Sequence, residues 1–285
     1  MKLSFIKMHG CGNDYVYIDC FERPIADPST LAVAIADRHR GVGGDGLVLI
    51  CPPDDPQNDG RMRMFNADGS EGRMCGNAIR CVGKHLFERG HTAKTTLRVE
   101  TGSGVKTLWL SVEDGVVRRV KVDMGAAILR PADLPVLLPG ERAVNHPLEV
   151  GGKTYAVTCV SMGNPHAIVF CDDPMALDLP AIGPAFEHHP LFPEQINTEF
   201  VHPLDAHTLQ MRVWERGSGE TMACGTGACA SVVAATLAGY CPKGEPVTVR
   251  LRGGELTVCY TDETVTMEGP ATRVFEGTCE TEEWT

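Results

Sequence analysis

The sequence predicts an α/β protein, in the stricter sense α+β, built from two similar halves. Each half is expected to fold as a mixed, mostly antiparallel sheet around one central helix. The first observation is that a Cys-Gly pair stands directly before a helix-compatible run twice, at Cys75 and at Cys224. The second is a near-constant spacing: Cys224 follows Cys75 by 149 positions, and Asn164 follows Asn13 by 151. A spacing held over two landmarks indicates an internal duplication.

The length of 285 residues favours about two domains. We predict that residues 1–124 form the first half and residues 125–270 the second. The proline-rich stretch 131–147 is expected to be irregular and to cross between them. The tail, residues 271–285, carries a strand-like segment that we expect to pack back on the first half.

The central helix of the first half follows Cys75, where Ile79, Val82 and Leu86 recur at helical spacing and Gly90 supplies a C-terminal cap. An earlier helix is expected to start at Asp27-Pro28-Ser29, because proline favours the first helical position. The strands expected around these helices are Tyr15–Ile18, Leu47–Ile50, Arg61–Phe65, Thr96–Glu100, Val105–Leu110 and Val116–Val122.

The second half repeats this order. Its central helix follows Cys224, and the run from Ala228 to Ala238 is almost wholly small or apolar, which is typical of a buried helix. A short helix is expected near residues 180–187. The expected strands are Tyr155–Val160, Ala167–Phe170, Thr198–His202, Leu209–Trp214, Val247–Leu251, Glu255–Tyr260 and Thr264–Glu268, followed by Thr272–Phe275 in the tail.

Composition excludes several classes of function. The net charge of −11 argues against a nucleic-acid partner, because phosphate contacts need a basic surface. No stretch reaches the roughly 18 apolar residues of a membrane span. The first seven residues lack the apolar core of a signal peptide. We therefore expect a cytoplasmic protein with no membrane partner.

The 12 cysteines are not arranged as a metal site or a redox pair, since no Cys-x-x-Cys occurs. In a long chain expected in a reducing compartment, most of them are predicted to be buried structural residues, including Cys81 and Cys229. No phosphate-binding loop is present either, because Gly152-Lys153-Thr154 has Pro147 where the first glycine is required. We expect neither a metal nor a cofactor.

Two thiols at helix N-termini indicate a particular kind of chemistry. A helix N-terminus carries partial positive charge and free N–H groups, so it stabilises a thiolate and binds carboxylates. Duplicated halves would bring Cys75 and Cys224 face to face across a cleft. Such a pair suits the movement of a proton from one face of a carbon to the other.

Five blocks of sequence together resemble diaminopimelate epimerase. The blocks occur in the order of that family, cover nearly the whole chain, and are Gly10-x-Gly12-Asn13-Asp14, Asn66-Ala67-Asp68-Gly69-Ser70 leading to Met74-Cys75-Gly76-Asn77, Gly163-Asn164-Pro165-His166, Asn197-Thr198-Glu199-Phe200, and Glu215-Arg216-Gly217-x-Gly219-Glu220-Thr221-x-Ala223-Cys224-Gly225-Thr226-Gly227. The resemblance implies that family's fold, with the active site in the cleft between the halves. It also implies cofactor-independent, metal-free interconversion of LL- and meso-2,6-diaminoheptanedioate, on the route to lysine and peptidoglycan precursors.

The resemblance also implies roles for individual residues. Cys75 and Cys224 would be the proton acceptor and donor, exchanging roles with direction, and His166 and Glu215 would tune them. The implied substrate-binding residues are Asn13, Gly76, Asn77, Gly225 and Thr226 at the reacting end, Asn66, Asn164, Asn197 and Arg216 at the distal end, together with Glu215 and Gly46. Gly46 stands where some members have a glutamine and offers only its backbone. The partner would be the small-molecule substrate, and a homodimer is left open.

Two alternatives remain open at this point. A proline or hydroxyproline racemase would have the same architecture and two thiols. Its cyclic substrate has no second carboxylate, so the distal set argues against it, and assays of both substrates discriminate. A redox-switch protein with two reactive cysteines would instead show reversible disulfide formation and no turnover.

Overall fold

The computed structural model describes residues 2–280, which form two compact units. The first unit runs to Val122 and resumes at Gly269, and the second is Asp123–Glu268. Each contains a mixed sheet and two α-helices, so the predicted α/β class is confirmed.

The first unit contains two α-helices, α1 (Pro28–Ala36) and α2 (Gly76–Glu88). Its strands in chain order are β1 (Lys2–Gly10), β2 (Asn13–Asp19), β3 (Gly46–Cys51), β4 (Gly60–Asn66), β5 (Glu71–Gly72), β6 (Thr96–Thr101), β7 (Gly104–Glu113) and β8 (Val116–Gly125). Strand β1 pairs antiparallel with β2, β2 parallel with β3, and β3 antiparallel with β4. Strand β4 then pairs parallel with β6, and β6, β7 and β8 form an antiparallel meander.

The second unit has α3 (Leu179–Glu187) and α4 (Gly225–Leu237). Its strands are β9 (His146–Val150), β10 (Lys153–Ser161), β11 (Pro165–Phe170), β12 (Asn197–Asp205), β13 (Thr208–Glu215), β14 (Gly219–Glu220), β15 (Pro246–Leu251), β16 (Gly254–Tyr260) and β17 (Val265–Gly269). Strands β10 to β17 pair in the same order as β1 to β8. Each equivalent pair has the same parallel or antiparallel direction. The internal repeat is therefore confirmed at the level of strand pairing.

Each sheet gains one additional strand at the equivalent place. Strand β9 pairs antiparallel with β10 in the second unit. In the first unit the position beside β1 is taken by β18 (Thr272–Glu280), which also pairs antiparallel. The chain thus returns to the first sheet after the second is finished.

The two central helices occupy the same place in the repeat. Helices α2 and α4 each have 13 residues and begin directly after a cysteine. Helix α4 is buried on nearly every side, as its small apolar sequence predicts. Helix α2 is buried too, although it carries Arg80 and Lys84. The Lys84 Nζ donates to the Val117 carbonyl at 2.7 Å, which satisfies part of its hydrogen-bonding capacity.

The structure differs from the sequence-based expectation in a few places. The stretch 131–147 was expected to be irregular, but it contains a short 3₁₀ helix at Pro131–Asp133 and the start of β9. The two-residue strands β5 and β14 were not predicted, because two residues are too few to show an alternating pattern. Among residues 2–280, no helix has the length and apolar character that crossing a membrane requires.

Gly46 lies in β3 opposite Asn66 of β4. A Cβ atom built on Gly46 would lie 2.0 Å from the Phe65 carbonyl oxygen and 3.0 Å from the Tyr15 ring. The first of these contacts is with backbone, which cannot rotate away. The glutamine that some family members carry at this position therefore has no room on this backbone.

The variant Gly46→Ala should lower the free energy of unfolding by about 1–3 kcal/mol, because the new methyl group overpacks against backbone. Urea unfolding followed by circular dichroism measures the change. Gly104→Ala is the control, since its added carbon meets nothing within 4 Å although its φ is +90°. A loss at Gly46 no larger than the loss at Gly104 would contradict the steric argument.

Candidate active site

The first cysteine, Cys75, is the N-cap of α2. Its backbone is extended (φ −133°, ψ 119°), and its sulfur accepts the Ala78 N–H at 3.4 Å. A sulfur in the N-cap position satisfies one of the backbone donors that the first helical turn leaves unpaired. The thiol is therefore held at the positive end of the helix, as the sequence predicts.

Asn13, at the start of β2, joins the residues around this thiol. Its Oδ1 accepts the Cys75 S–H at 3.3 Å and the Asn77 side-chain amide at 3.4 Å. Its own amide donates to Asp45 Oδ2 at 2.7 Å. The structure thus brings the predicted Asn13, Cys75 and Asn77 together, and it adds Asp45, to which the sequence analysis assigned no role.

Arg80 supports this group from one turn further along α2. Its side chain is fully buried, and its guanidinium donates to Asn77 Oδ1 at 2.9 Å, to the Gly76 carbonyl at 3.0 Å and to the Pro270 carbonyl at 3.1 Å. Because the guanidinium holds the oxygen of the Asn77 side chain, the amide nitrogen is turned toward Asn13. Arg80 was also missed, since a buried arginine cannot be told from a surface one by sequence alone.

Asn66 lies elsewhere in the first unit, at the exposed end of β4. Its side-chain amide donates to Ser70 Oγ at 3.0 Å, within the turn that the sequence predicts. It is the strand partner of Gly46. These two predicted substrate-binding positions are therefore neighbours of each other.

The second cysteine, Cys224, caps α4 in the same way. It has an extended backbone (φ −115°, ψ 112°), and its sulfur accepts the Gly227 N–H at 3.4 Å. The Thr226 hydroxyl lies 3.5 Å from the sulfur. The side chain is buried, at 5% exposure. Gly225 and Thr226 form the first turn, where Gly76 and Asn77 lie in α2.

A buried histidine and carboxylate lie beside Cys224. The Nδ1 atom of His166 lies 2.8 Å from Glu199 Oε1, and its Nε2 lies 3.1 Å from Asn164 Oδ1. Both His166 and Glu199 are at 0% exposure. The His166, Glu199 and Cys224 donor atoms all fall within 4.8 Å of one another. The sequence analysis predicted His166 but gave no role to Glu199.

Glu199 packs closely against the start of α4. A Cβ atom at Gly227 would lie 2.3 Å from Glu199 Oε1, so glycine is required there for the carboxylate to approach. A signal for Glu199 was present in the sequence. It is a charged residue directly before the apolar pair Phe200-Val201 of a predicted strand, and a charge that is buried there needs a partner.

Asn197 is buried and uses both ends of its amide within the protein. Its nitrogen donates to the Pro165 carbonyl at 3.0 Å, and its Oδ1 accepts the Arg216 backbone N–H at 2.9 Å. It therefore ties β11 to the loop after β13. The exposed Arg216 guanidinium donates to the Glu194 carbonyl at 2.8 Å.

The electrostatics at Cys224 favour the neutral thiol. Burial raises the pKa of Glu215, and the Thr221 hydroxyl, which donates to its Oε1, opposes that shift. Burial also raises the pKa of Cys224 well above its usual value, and the charges of Glu215 and Glu199 raise it further. Cys224 therefore carries its proton at neutral pH.

Two clusters in residues 2–280 have side chains of the types that bind metals, although the sequence showed no such cluster. One is His166, Glu199 and Cys224, the group around the second cysteine. The other is Asp19, His85 and His91 in the first unit. Their members are far apart in sequence, so only the fold brings them together.

Comparison with known families gives one match over most of the chain. The family model for diaminopimelate epimerase matches residues 5–129 and 158–274. A diaminopimelate epimerase of Acetivibrio thermocellus is 53% identical over 277 residues, covering 96% of this chain and 98% of the relative. One of Agathobacter rectalis is 50% identical over 284 residues, covering 96% and 98%.

Solved structures that share the fold are more distant in sequence. A hydroxyproline epimerase from Agrobacterium vitis superposes with a TM-score of 0.70 at 14% identity, covering 98% of this chain and 91% of its own. A probable proline racemase from Agrobacterium radiobacter gives 0.72 at 14% identity, covering 98% and 93%. At this identity the likeness establishes the fold alone.

The variant Glu215→Gln tests the electrostatics at Cys224. Removing the carboxylate should lower the pKa of this thiol, because a neighbouring negative charge opposes the thiolate. Alkylation of Cys224 by iodoacetamide at pH 8 should then be faster by roughly threefold or more. Peptide mass spectrometry over time measures the rate. Glu245→Gln is the control, since it removes an equal charge at an exposed position of the same unit. Equal rates in both variants would contradict the assigned influence of Glu215.

Proposed function

The chain belongs to the diaminopimelate epimerase family, and on that premise we propose that Cys75 and Cys224 carry out its reaction by two-base proton transfer. The reaction interconverts LL- and meso-2,6-diaminoheptanedioate at the α-carbon, and the enzyme is an isomerase. The observation that carries the proposal is the repeated cap: a thiol sulfur at the N-terminus of each of two equivalent buried helices.

In this mechanism the two thiols act on opposite faces of the substrate α-carbon. One thiolate removes the α-proton, and the opposite thiol delivers a proton to the other face of the carbon. No net atoms are gained or lost. The N–H groups of the two first turns, at Gly76-Asn77 and Gly225-Thr226, bind the α-carboxylate and stabilise the carbanion as charge develops.

The surroundings of the two thiols suit them to different roles in proton transfer. Cys224 holds its proton, because burial and two carboxylates raise its pKa. It therefore suits the donor role, and Cys75 becomes the acceptor once its thiol has lost the proton that it donates to Asn13 Oδ1. The Asn13 Oδ1 that receives the Cys75 S–H keeps that sulfur in place. Reaction in the opposite direction exchanges the two roles.

His166 and Glu199 act through Cys224. The carboxylate fixes the imidazole ring by its contact with Nδ1, and the other nitrogen faces Asn164. We assign Glu199 as a positioning residue and His166 as the group that adjusts the charge next to the thiol. Glu215 is the last residue of β13, and its charge raises the pKa of the Cys224 thiol.

The distal carboxylate and amine of the substrate are assigned to Asn66, Asn164, Asn197 and Arg216. Arg216 is exposed and gives a hydrogen bond to a backbone carbonyl, which a carboxylate can replace with a stronger, charge-assisted one. The buried Asn197 holds the Arg216 backbone by its Oδ1. Gly46 contributes only its backbone, because a Cβ atom at this position would clash with the Phe65 carbonyl oxygen.

The biological setting follows from the same proposal. The enzyme acts in the cytoplasm on the route to lysine and peptidoglycan precursors, with diaminopimelate as its partner and no cofactor. A homodimer stays a prediction of the family resemblance. Sedimentation velocity on the purified full-length chain checks it.

Cys75→Ala and Cys224→Ala should each abolish epimerisation, because a two-base reaction requires a group on both faces of the carbon. The double variant should be no worse than either single variant. Chiral chromatography of LL- and meso-diaminopimelate over time measures the rate, and deuterium incorporation from D₂O reports proton removal separately. Cys81→Ala and Cys229→Ala are the controls and should keep most of the activity. If either catalytic-position variant turned over normally, the mechanism would be wrong.

Arg216→Met should lower kcat/KM for diaminopimelate, since the distal carboxylate loses a charge-assisted hydrogen-bond partner worth about 1.5–3 kcal/mol. That loss lowers kcat/KM by roughly tenfold or more. The same assay with L-proline and trans-4-hydroxy-L-proline should show no turnover in either protein. An unchanged kcat/KM for diaminopimelate, together with turnover of proline, would favour the racemase alternative.

A further inference from the structure

A cluster of one aspartate and two histidines lies in the first unit, and none of its members has a role in the reaction described above. Asp19 Oδ2 lies 2.8 Å from His85 Nε2 and 2.6 Å from His91 Nε2. The three atoms all lie within 4.8 Å of one another. Three side chains of metal-binding type thus converge on one point.

The chain fixes the carboxylate of this cluster. Asp19 is the last residue of β2, and its Oδ1 accepts the Phe21 backbone N–H at 3.0 Å. With one oxygen held by the turn, the other faces the two imidazole rings.

The end of helix α2 fixes the two rings. His85 lies in the last turn and is 3% exposed. Gly90, with φ +79°, ends the helix in the left-handed conformation and turns the chain back, so that His91 returns to the same carboxylate. The His91 ring stacks on Phe21, with ring centroids 3.8 Å apart and planes 20° apart. Both imidazoles are therefore held before any ligand arrives.

A surface cavity of about 580 Å³ adjoins the cluster and is lined by Asp19 and His85. Two of its other lining residues, Arg89 and Glu276, form an ion pair with each other. The cavity gives a small ion access to the carboxylate and to one ring. It also leaves space for a water molecule as a further ligand.

We propose that Asp19, His85 and His91 form a binding site for a divalent transition metal, with Zn²⁺ as the ion that suits it best. Two imidazoles and one carboxylate with an open position are a ligand set that zinc accepts. Zinc–ligand bonds of about 2.0–2.2 Å place tetrahedral ligand atoms about 3.3 Å apart. The contacts of Asp19 Oδ2 with the two nitrogens, 2.8 and 2.6 Å, are shorter than this by about 0.5–0.7 Å, so admission of the ion requires side-chain rotations that separate these atoms.

Binding requires a proton rearrangement. Each Nε2 that donates to Asp19 must give up its proton before it can donate a lone pair to the metal. The proton moves to Nδ1 of the same ring or to solvent, and Asp19 exchanges two hydrogen bonds for one metal bond. The bound ion would join β2, the end of α2 and the turn after it. It should therefore stabilise the first unit rather than take part in the reaction.

Cobalt titration of the full-length chain tests the site, because Co²⁺ reports its own ligands. We expect one equivalent to bind with visible d–d absorption of a four-coordinate nitrogen and oxygen site, and Zn²⁺ to displace it. Ligation by a thiolate gives an additional charge-transfer band in the near ultraviolet. That band would assign the metal to Cys224 or another cysteine, and the proposal would be wrong.

Variants locate the ion. His91→Ala and Asp19→Asn should each weaken Zn²⁺ binding at least tenfold by isothermal titration calorimetry and should remove the rise in Tm that zinc gives. His207→Ala is the control, because His207 is an exposed histidine of the second unit, and it should bind as the parent does. Circular dichroism confirms that each variant is folded, and epimerase activity should stay unchanged. Undiminished binding by His91→Ala would overturn the assignment.

Discussion

The thiol cap is the interaction on which the site depends. At the start of both α2 and α4 a cysteine sulfur accepts a backbone N–H three residues ahead, at 3.4 Å in each case. The cap ties the sulfur to the first turn of a helix that is almost wholly buried. In the proposed reaction the same side chain would be both cap and reagent. Both halves of the fold are organised to deliver one such group.

The duplication preserved the backbone and changed the charges. Around Cys75 the polar groups include two amides and a buried arginine, with Asn77 linking Arg80 to Asn13, and the Asp45 carboxylate accepts from the Asn13 amide. Around Cys224 they are a histidine and two carboxylates. Equivalent sulfurs thus lie in unlike electrostatic surroundings. The difference matters for a two-base reaction, because the resting enzyme needs one group protonated and the other ready to accept a proton.

Sequence reasoning worked where the signal was local or repeated. The caps at Cys75 and Cys224 could be predicted because each cysteine stands directly before a helix-compatible run. The near-constant spacing of the two halves indicated the duplication. It failed where the relevant property is burial or a contact between distant segments. Arg80 and the cluster of Asp19, His85 and His91 show no local pattern, and only the fold brings them to their partners. The lack of room at Gly46 likewise depends on a carbonyl from the adjacent strand.

The buried polar groups beside Cys224 lower the stability of the fold, and this loss bears on what they are for. Glu199 is fully buried, and within residues 2–280 its Oε2 has no hydrogen-bond partner. An unpartnered buried polar atom destabilises a fold by about 1–3 kcal/mol. A well-packed apolar pair in place of a buried ion pair is often neutral or stabilising. Stability alone therefore does not favour His166 and Glu199 at the start of α4. Their retention next to a thiol, with Gly227 kept small so that the carboxylate can approach, is explained by the need to control the proton on that sulfur.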